Sequence, residues 1–319
     1  MAGFGMSALL ALWMGCAGSE AVEPEQDDSQ EDSAVEDSGA VALPFLFSFA
    51  VLADPHISTG AEHQERLAAA VGWINDSAAA ESIELVVVVG DIGWGDGLPI
   101  ARDLLDALEM PYLPIIGDNE IHFGDEQRFD EVFASHYALL SDTFGGWRRG
   151  TVEAWNPVHE QTSWFQNTSF EYRGLRWVGL DWCSRDDNSL LSEFAEVHDF
   201  AGGTWPFFAD ELGALGEDGA ERGDVLLFSH HPMHLGAFNS AQMADITGLT
   251  GPIHQRIAGA WAGHLHLDAE VVVEEGGYTV WVTDATWDDV NTVRLVKVYG
   301  DGERFEYDQE LIEVPGFGR

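Results

Sequence analysis

Five short clusters of acids, imidazoles and glycines stand out: Asp54-Pro55-His56, Gly90-Asp91, Gly117-Asp118-Asn119-Glu120, His230-His231-Pro232 and Gly263-His264-Leu265-His266. Carboxylate and imidazole without thiolate suit zinc, iron or manganese. Asp91 is the natural bridge, because a carboxylate can offer one oxygen to each of two ions. Two such ions about 3.5–4 Å apart would clamp the attacking and leaving oxygens of an in-line displacement at phosphorus. Each cluster alone is a weak sign, since an Asp-x-His or a His-x-His pair often arises by chance. Their combined order, each at the end of a strand, makes one site out of five fragments.

Those fragments must be carried by strands. The apolar run Phe45 to Ala53 reads as a strand, and residues 61–75 place Leu67, Val71 and Ile74 at helical spacing. ELVVVV at 84–89 is a buried strand, 98–109 a helix and Tyr112 to Ile116 a third strand. This β-α-β-α-β order implies parallel neighbours joined by helical crossovers. DVLLFS at 224–229 is another buried strand. Further strands are expected at 176–181, 270–273, 278–283, 292–299 and 303–309, the last two joined as a hairpin at Gly300-Asp301-Gly302. The class is α/β with an antiparallel-rich C-terminal half. In open α/β sheets ligands bind beyond the carboxyl ends of the strands, where the polar clusters fall.

The order D-x-H, G-D, G-N-H-[D/E], H, G-H-x-H resembles the calcineurin-like metallophosphoesterase superfamily, over about residues 45 to 285. The resemblance implies two packed mixed β-sheets flanked by helices, a four-layer sandwich with a dinuclear site at one edge. It implies a metal-dependent hydrolase in which a metal-bound water or hydroxide attacks a phosphate mono- or diester. Asp54, His56 and His266 would hold the first divalent ion and Asp91 would bridge. Asn119, His230 and His264 would hold the second, with His264 also stabilising phosphoryl oxygens. His230 is preferred to His231 because family members reading H-H-P ligate through the first histidine.

Two departures qualify this. The third motif reads Gly117-Asp118-Asn119-Glu120, without the family's histidine. Either Asp118 replaces the metal-binding asparagine and Asn119 the histidine, or Asn119 keeps the ligand role and Glu120 stands where the histidine would be. Glu120, with a raised pKa, is then the expected proton donor, and His122 is a substitute two residues on. The rival to a hydrolase is a non-catalytic metal-binding module that recognises a partner or phosphorylated ligand. Trp94 occupies the position where purple acid phosphatases carry a tyrosine ligand, so a tyrosinate-bound ferric site is not expected.

The chain has 319 residues, with 14 Lys+Arg against 56 Asp+Glu and a net charge of −42. Such a chain is repelled by nucleic acid and by anionic lipid. Two divalent ions less the two carboxylates of Asp54 and Asp91 would leave about +2 at the site, or about +1 if Asp118 also ligates. That island would draw a small phosphate ester into a negative protein.

Residues 1–16 end in Leu12-Trp13-Met14-Gly15-Cys16 after an apolar run, which resembles a bacterial lipoprotein signal. No Lys or Arg precedes the run, and bulky Trp13 is unusual there, so a non-lipidated export signal or a misplaced start codon also fits. The expected location is the cell envelope, as a lipoprotein, or the secreted or periplasmic space, with membrane contact only through a lipid on Cys16. Residues 17–43 form an expected acidic linker, with nine acids and no base over 17–40. Subtracting those nine from −42 leaves −33 on the rest. Residues 44–319 form the expected domain.

Residues 122–170 are rich in aromatics, among them Phe129, Phe133, Tyr137, Trp147 and Trp155. They could form a substrate lid or a local core. Arg148-Arg149 could clamp phosphate or form a surface pair. Cys183 follows a strand and reads as a buried small hydrophobe. No Gly-rich phosphate loop, G-x-S-x-G elbow or dinucleotide fingerprint occurs.

Overall fold

A computed structural model describes residues 42–185, 194–216 and 222–316. The expected signal at 1–16 with Cys16, and nearly all of the acidic linker, lie outside the described residues.

β1 (Phe45–Leu52), β2 (Ile83–Val89) and β3 (Tyr112–Ile115) are parallel neighbours. They are joined by α1 (Ala61–Glu81) and α2 (Gly97–Leu105), the expected crossovers. α1 runs past residue 75 to Glu81 and stops where Ser82 turns left-handed at φ 54°. Its buried face is Leu67, Ala70, Val71 and Ile74, one stripe at helical spacing. β13 (Thr292–Gly300) and β14 (Phe305–Glu313) form the expected hairpin and add antiparallel to β1, in the order β14-β13-β1-β2-β3.

Between these lie α3 (Asp118–His122), α4 (Glu126–Thr143), β4 (Gly145–Arg149), β5 (Glu153–Asn156), β6 (Gln161–Trp164), β7 (Thr168–Tyr172), β8 (Leu175–Leu180) and α5 (Thr204–Gly213). There follow β9 (Val225–Ser229), α6 (Ser240–Thr250), β10 (Ile257–Ala262), β11 (Ala269–Val273) and β12 (Tyr278–Val282). The second sheet runs β11-β12-β10-β9-β8-β7-β4, with β8, β9, β10 and β12 parallel. β10 was not anticipated from the sequence, although it delivers the last motif.

Strand periodicity divides the core. Trp177, Leu226, Phe228 and Trp261 point toward the first sheet and join Phe47 and Phe49. Val178, Leu227, Ala260 and Val280 point the other way, under α5 and α6. The layers are therefore helix, sheet, sheet, helix, as expected. Trp177 stacks between Phe170 at 5.8 Å and Phe228 at 5.5 Å, with Phe49 edge-on at 5.0 Å. Each such fully buried large side chain contributes about 3 kcal/mol by transfer alone. This plug locks one sheet onto the other below the rim where the motifs emerge.

The aromatic stretch resolves as core. Phe129, Phe133 and Tyr137 form the buried stripe of α4, and Phe144 stacks on Phe170 at 4.5 Å. Phe123 and Trp155 are exposed. Arg148 pairs with Asp210 and Glu211, and Arg149 with Asp130 and Gln166 beneath the Tyr137 ring. Neither arginine lines the pocket described below. Cys183 is fully buried, as expected.

Candidate metal centre

Asp54 and His56 follow β1, Asp91 follows β2, Asp118 follows β3, His230 follows β9, and His264 and His266 follow β10. The two sheets bring these strand ends to one rim. Five of these residues hold left-handed backbone: Asp54 (φ 48°), His56 (50°), Asp91 (48°), His264 (70°) and His266 (49°). Non-glycine residues there store about 1–3 kcal/mol each, held in place by surrounding structure. Gly90, at φ 87°, lies so close to His230 that a Cβ would come within 2.4 Å of Nδ1. Gly117 faces Asp91 with similar closeness, a Cβ there reaching 2.1 Å from the Asp91 amide nitrogen.

The ligand atoms of Asp54, His56 and His266 all lie within 4.8 Å of one another, and so do those of Asp118, His230 and His264. Asp91 spans the two groups. Its Oδ2 is 3.1 Å from His56 Nε2, and its Oδ1 is 3.5 Å from His230 Nε2. Asp54 and His230 also close within the same limit of Asp91. His230 Nδ1 donates to the Val89 carbonyl at 3.0 Å, which points Nε2 at Asp118 Oδ1, 2.5 Å away. His264 Nδ1 lies 3.2 Å from the same oxygen, and its amide donates to Asp54 Oδ2 at 3.0 Å.

Burial dominates the electrostatics. It pushes the Asp54 pKa up to about 7 against the pull of His230. Burial opposes charge on His230 as well, but Asp91 and Asp118 outweigh it and hold that imidazole well above its ordinary value. Burial likewise works against Asp118, yet hydrogen bonds with His230 and His264 hold it well below the carboxylate range. Burial, then His56, drives His266 down to about 4.

The donor set fits metal ions: carboxylate oxygens and imidazole nitrogens, in close groups. His56 Nε2 is buried without an aligned hydrogen-bond partner, although Asp91 lies beside it. That is the state of a ligand atom turned toward an ion.

One expectation, Glu120 as the proton donor, needs correction. Asp118 lies against His230 and His264, the arrangement of the ungapped alignment of the third motif, and Asn119 lines the pocket as well. α3 begins at Asp118, which turns Asn119 one position further round; its side-chain amide donates to Asp91 Oδ2 and its backbone N–H to Oδ1. Glu120 does not reach the pocket as a proton donor. It is fully buried, and its two oxygens accept the backbone N–H groups of Gly93 at 2.9 Å and Gly117 at 2.7 Å. Burial, then Asp91, raises its pKa to about 8, while those amides pull the other way. It ties the Asp91 loop to the Asp118 turn. His122 meets Phe123 edge-on and does not line the pocket.

The pocket over this cluster has a volume of about 490 Å³. Sequence reasoning missed Trp287, which stacks on His56 at 5.2 Å and meets His266 edge-on at 5.6 Å. It also missed His234 and Phe194 on the pocket wall. Trp287 sits in a loop after β12, next to Asp288 and Asp289, and belongs to none of the five clusters, so no motif signals it.

Among solved structures, the chain is similar to TT1561 of Thermus thermophilus (9% identity, 82% of this chain and 98% of that one, TM-score 0.45). It is similar to GAP50, the anchor in the inner membrane complex of Plasmodium (10% identity, 85% of each chain, TM-score 0.50). It is also similar to purple acid phosphatase PPD1 of yellow lupin (12% identity, 85% of this chain and 52% of that one, TM-score 0.46). No curated protein matches. The family model for calcineurin-like phosphoesterase matches residues 47–268, a span that holds both ligand groups and Asp91. With that match and the two-sheet sandwich beneath it, the chain belongs to the calcineurin-like phosphoesterase family.

Proposed function

We propose that the protein is an exported phosphoesterase that hydrolyses a small phosphate mono- or diester at a site for two divalent ions. The observation that carries this reading is Asp91, whose two oxygens face His56 of one ligand group and His230 of the other. Asp54, His56, His266 and Asp91 would hold one ion; Asp118, His230, His264 and Asp91 would hold the second. Bound there, the ions supply Lewis acidity and the nucleophile. The chain's own groups do the rest. Val89 holds the His230 tautomer through Nδ1, Glu120 fixes the spacing of the Asp91 and Asp118 loops, and His264 stands at the pocket edge to meet a phosphoryl oxygen. With Asn119 where the family's histidine would stand, that position supplies no proton to the leaving group. Esters of acidic alcohols suit such a site best, since a proton donor typically supplies about 10²–10⁴-fold.

That same Asn119 favours one alternative, a metal-binding module that recognises a phosphorylated ligand without cleaving it. The test is hydrolysis of aryl phosphate mono- and diesters by protein supplied with Mn²⁺ or Zn²⁺, beside an Asp91→Asn control. Activity that disappears in the control supports the phosphoesterase. A metal-loaded protein that binds phosphate and turns over neither ester sinks it in favour of the module.

A further inference from the structure

Part of the pocket lining is apolar. Phe194, Ala237 and Leu265 supply it beside the acids and imidazoles, and Leu265, between His264 and His266 in sequence, is 40% exposed. A second hollow of about 360 Å³ adjoins it, and His234 lines both. Its apolar walls are Leu235 before α6, Met243 and Ala244 on α6, and Val271 and Val272 on β11, with Ser240, Thr247 and Glu275 also in the lining. Leu235 and Val272 are 64% and 63% exposed at this hollow. Among the described residues, no lysine or arginine lines either hollow.

We propose that the second hollow receives the hydrocarbon part of the substrate, so that the substrate class is a phosphate ester of a lipophilic alcohol. This rests on the phosphoesterase reading. A phosphoryl group at the ligand cluster directs its ester chain along the apolar part of the lining, past His234, into the adjoining hollow. Continuity with the candidate metal centre is what selects this occupant over an apolar peptide of a partner.

The test is calorimetric titration of the Mn²⁺-supplied full chain with methyl-, butyl-, hexyl- and octylphosphonate, which it cannot hydrolyse as esters. Affinity should rise by about twofold to fourfold per methylene until the hollow is filled. Leu235→Asp and Val272→Asp, both at exposed positions and with folding checked by circular dichroism, should flatten the series. Equal affinities along the series, a gain that persists in both variants, or no binding by any member overturns the proposal. Turnover of p-nitrophenyl alkyl phosphates of matching length separates the two readings. Chain-length-dependent binding without turnover leaves the hollow assigned and sinks the phosphoesterase, whereas turnover with flat binding does the reverse.

Discussion

Replacing Gly90 by alanine probes how tightly His230 is held. A Cβ at residue 90 would lie 2.4 Å from His230 Nδ1 and 2.5 Å from Cγ, with φ at 87°. The ring cannot retreat, because Nδ1 donates to Val89 at 3.0 Å and Nε2 sits 2.5 Å from Asp118. Two costs add. Forcing a side chain into that backbone region costs about 1–3 kcal/mol, and overpacking beside a pinned ring costs about 1–3 kcal/mol. Gly90→Ala should therefore lose about 2–6 kcal/mol. Gly95→Ala is the control, since Gly95 has φ 53° but nothing within 4 Å of a Cβ, and it should lose only the backbone part. Urea unfolding of both variants, with and without Zn²⁺, measures the difference. Gly90→Ala should also bind zinc more weakly, because the added methyl presses on the imidazole that carries the ligand atom Nε2. Equal destabilisation of the two variants with unchanged zinc affinity would refute the close packing described.

Asn119→His should restore a proton donor beside Asp91 and raise kcat on alkyl phosphates by about 10²–10⁴-fold, with little effect on aryl esters; equal gains on both ester types would contradict that role. Glu120→Gln, which turns an NH₂ group toward one of two backbone N–H donors, should cost about 1–3 kcal/mol in urea unfolding, and an unchanged midpoint would show that Glu120 does not tie the loops. Chelation should lower Tm, and Mn²⁺ restored at one hundred times its Kd should add about 2.7 kcal/mol by scanning calorimetry; a Tm indifferent to both would count against a metal site. Asp91 and Asp118 hold His230 protonated well above its usual range, and Nε2 must lose that proton to ligate. Metal affinity should therefore climb as pH rises, with proton release visible in buffers of different ionisation enthalpy, and a flat pH profile would argue against His230 as a ligand.

The strands were legible where burial is complete on both faces. The valines of β2 leave no other reading, and α1 announces itself by the spacing of Leu67, Val71 and Ile74. β10 was hidden because IAGAWA mixes small residues that fit a strand only once β9 and β12 flank it. At the site, Asp54, His56, Asp91, His230, His264 and His266 were legible because a dipeptide or tripeptide motif marks each. The third motif was ambiguous by one position. Register there depends on where α3 begins, and that is decided by the contact between Gly117 and Asp91, far apart in sequence. Glu120 looked like an acid because composition shows the carboxyl group and not the two amides it faces. The hollow beside α6 was invisible for a similar reason: Leu235, Met243 and Val271 converge only after folding.

The left-handed backbone at five motif residues bears on how such a site can change over generations. Asp, Asn and His tolerate that conformation better than most side chains, and Asp and His are also metal-ligand types. Backbone and chemistry thus screen candidates with the same sieve. A drift from His to Glu, or from Asp to Cys, must pass a steric test as well as a coordination test. At Asp118, by contrast, the chain sits at the first residue of α3 and carries no positive φ. On the ungapped alignment, that is the position where the resemblance expects asparagine and this sequence has Asp118. On backbone grounds, mutational routes through this centre should be open at the third motif and at His230, which also has no positive φ, and narrow at the other three motifs.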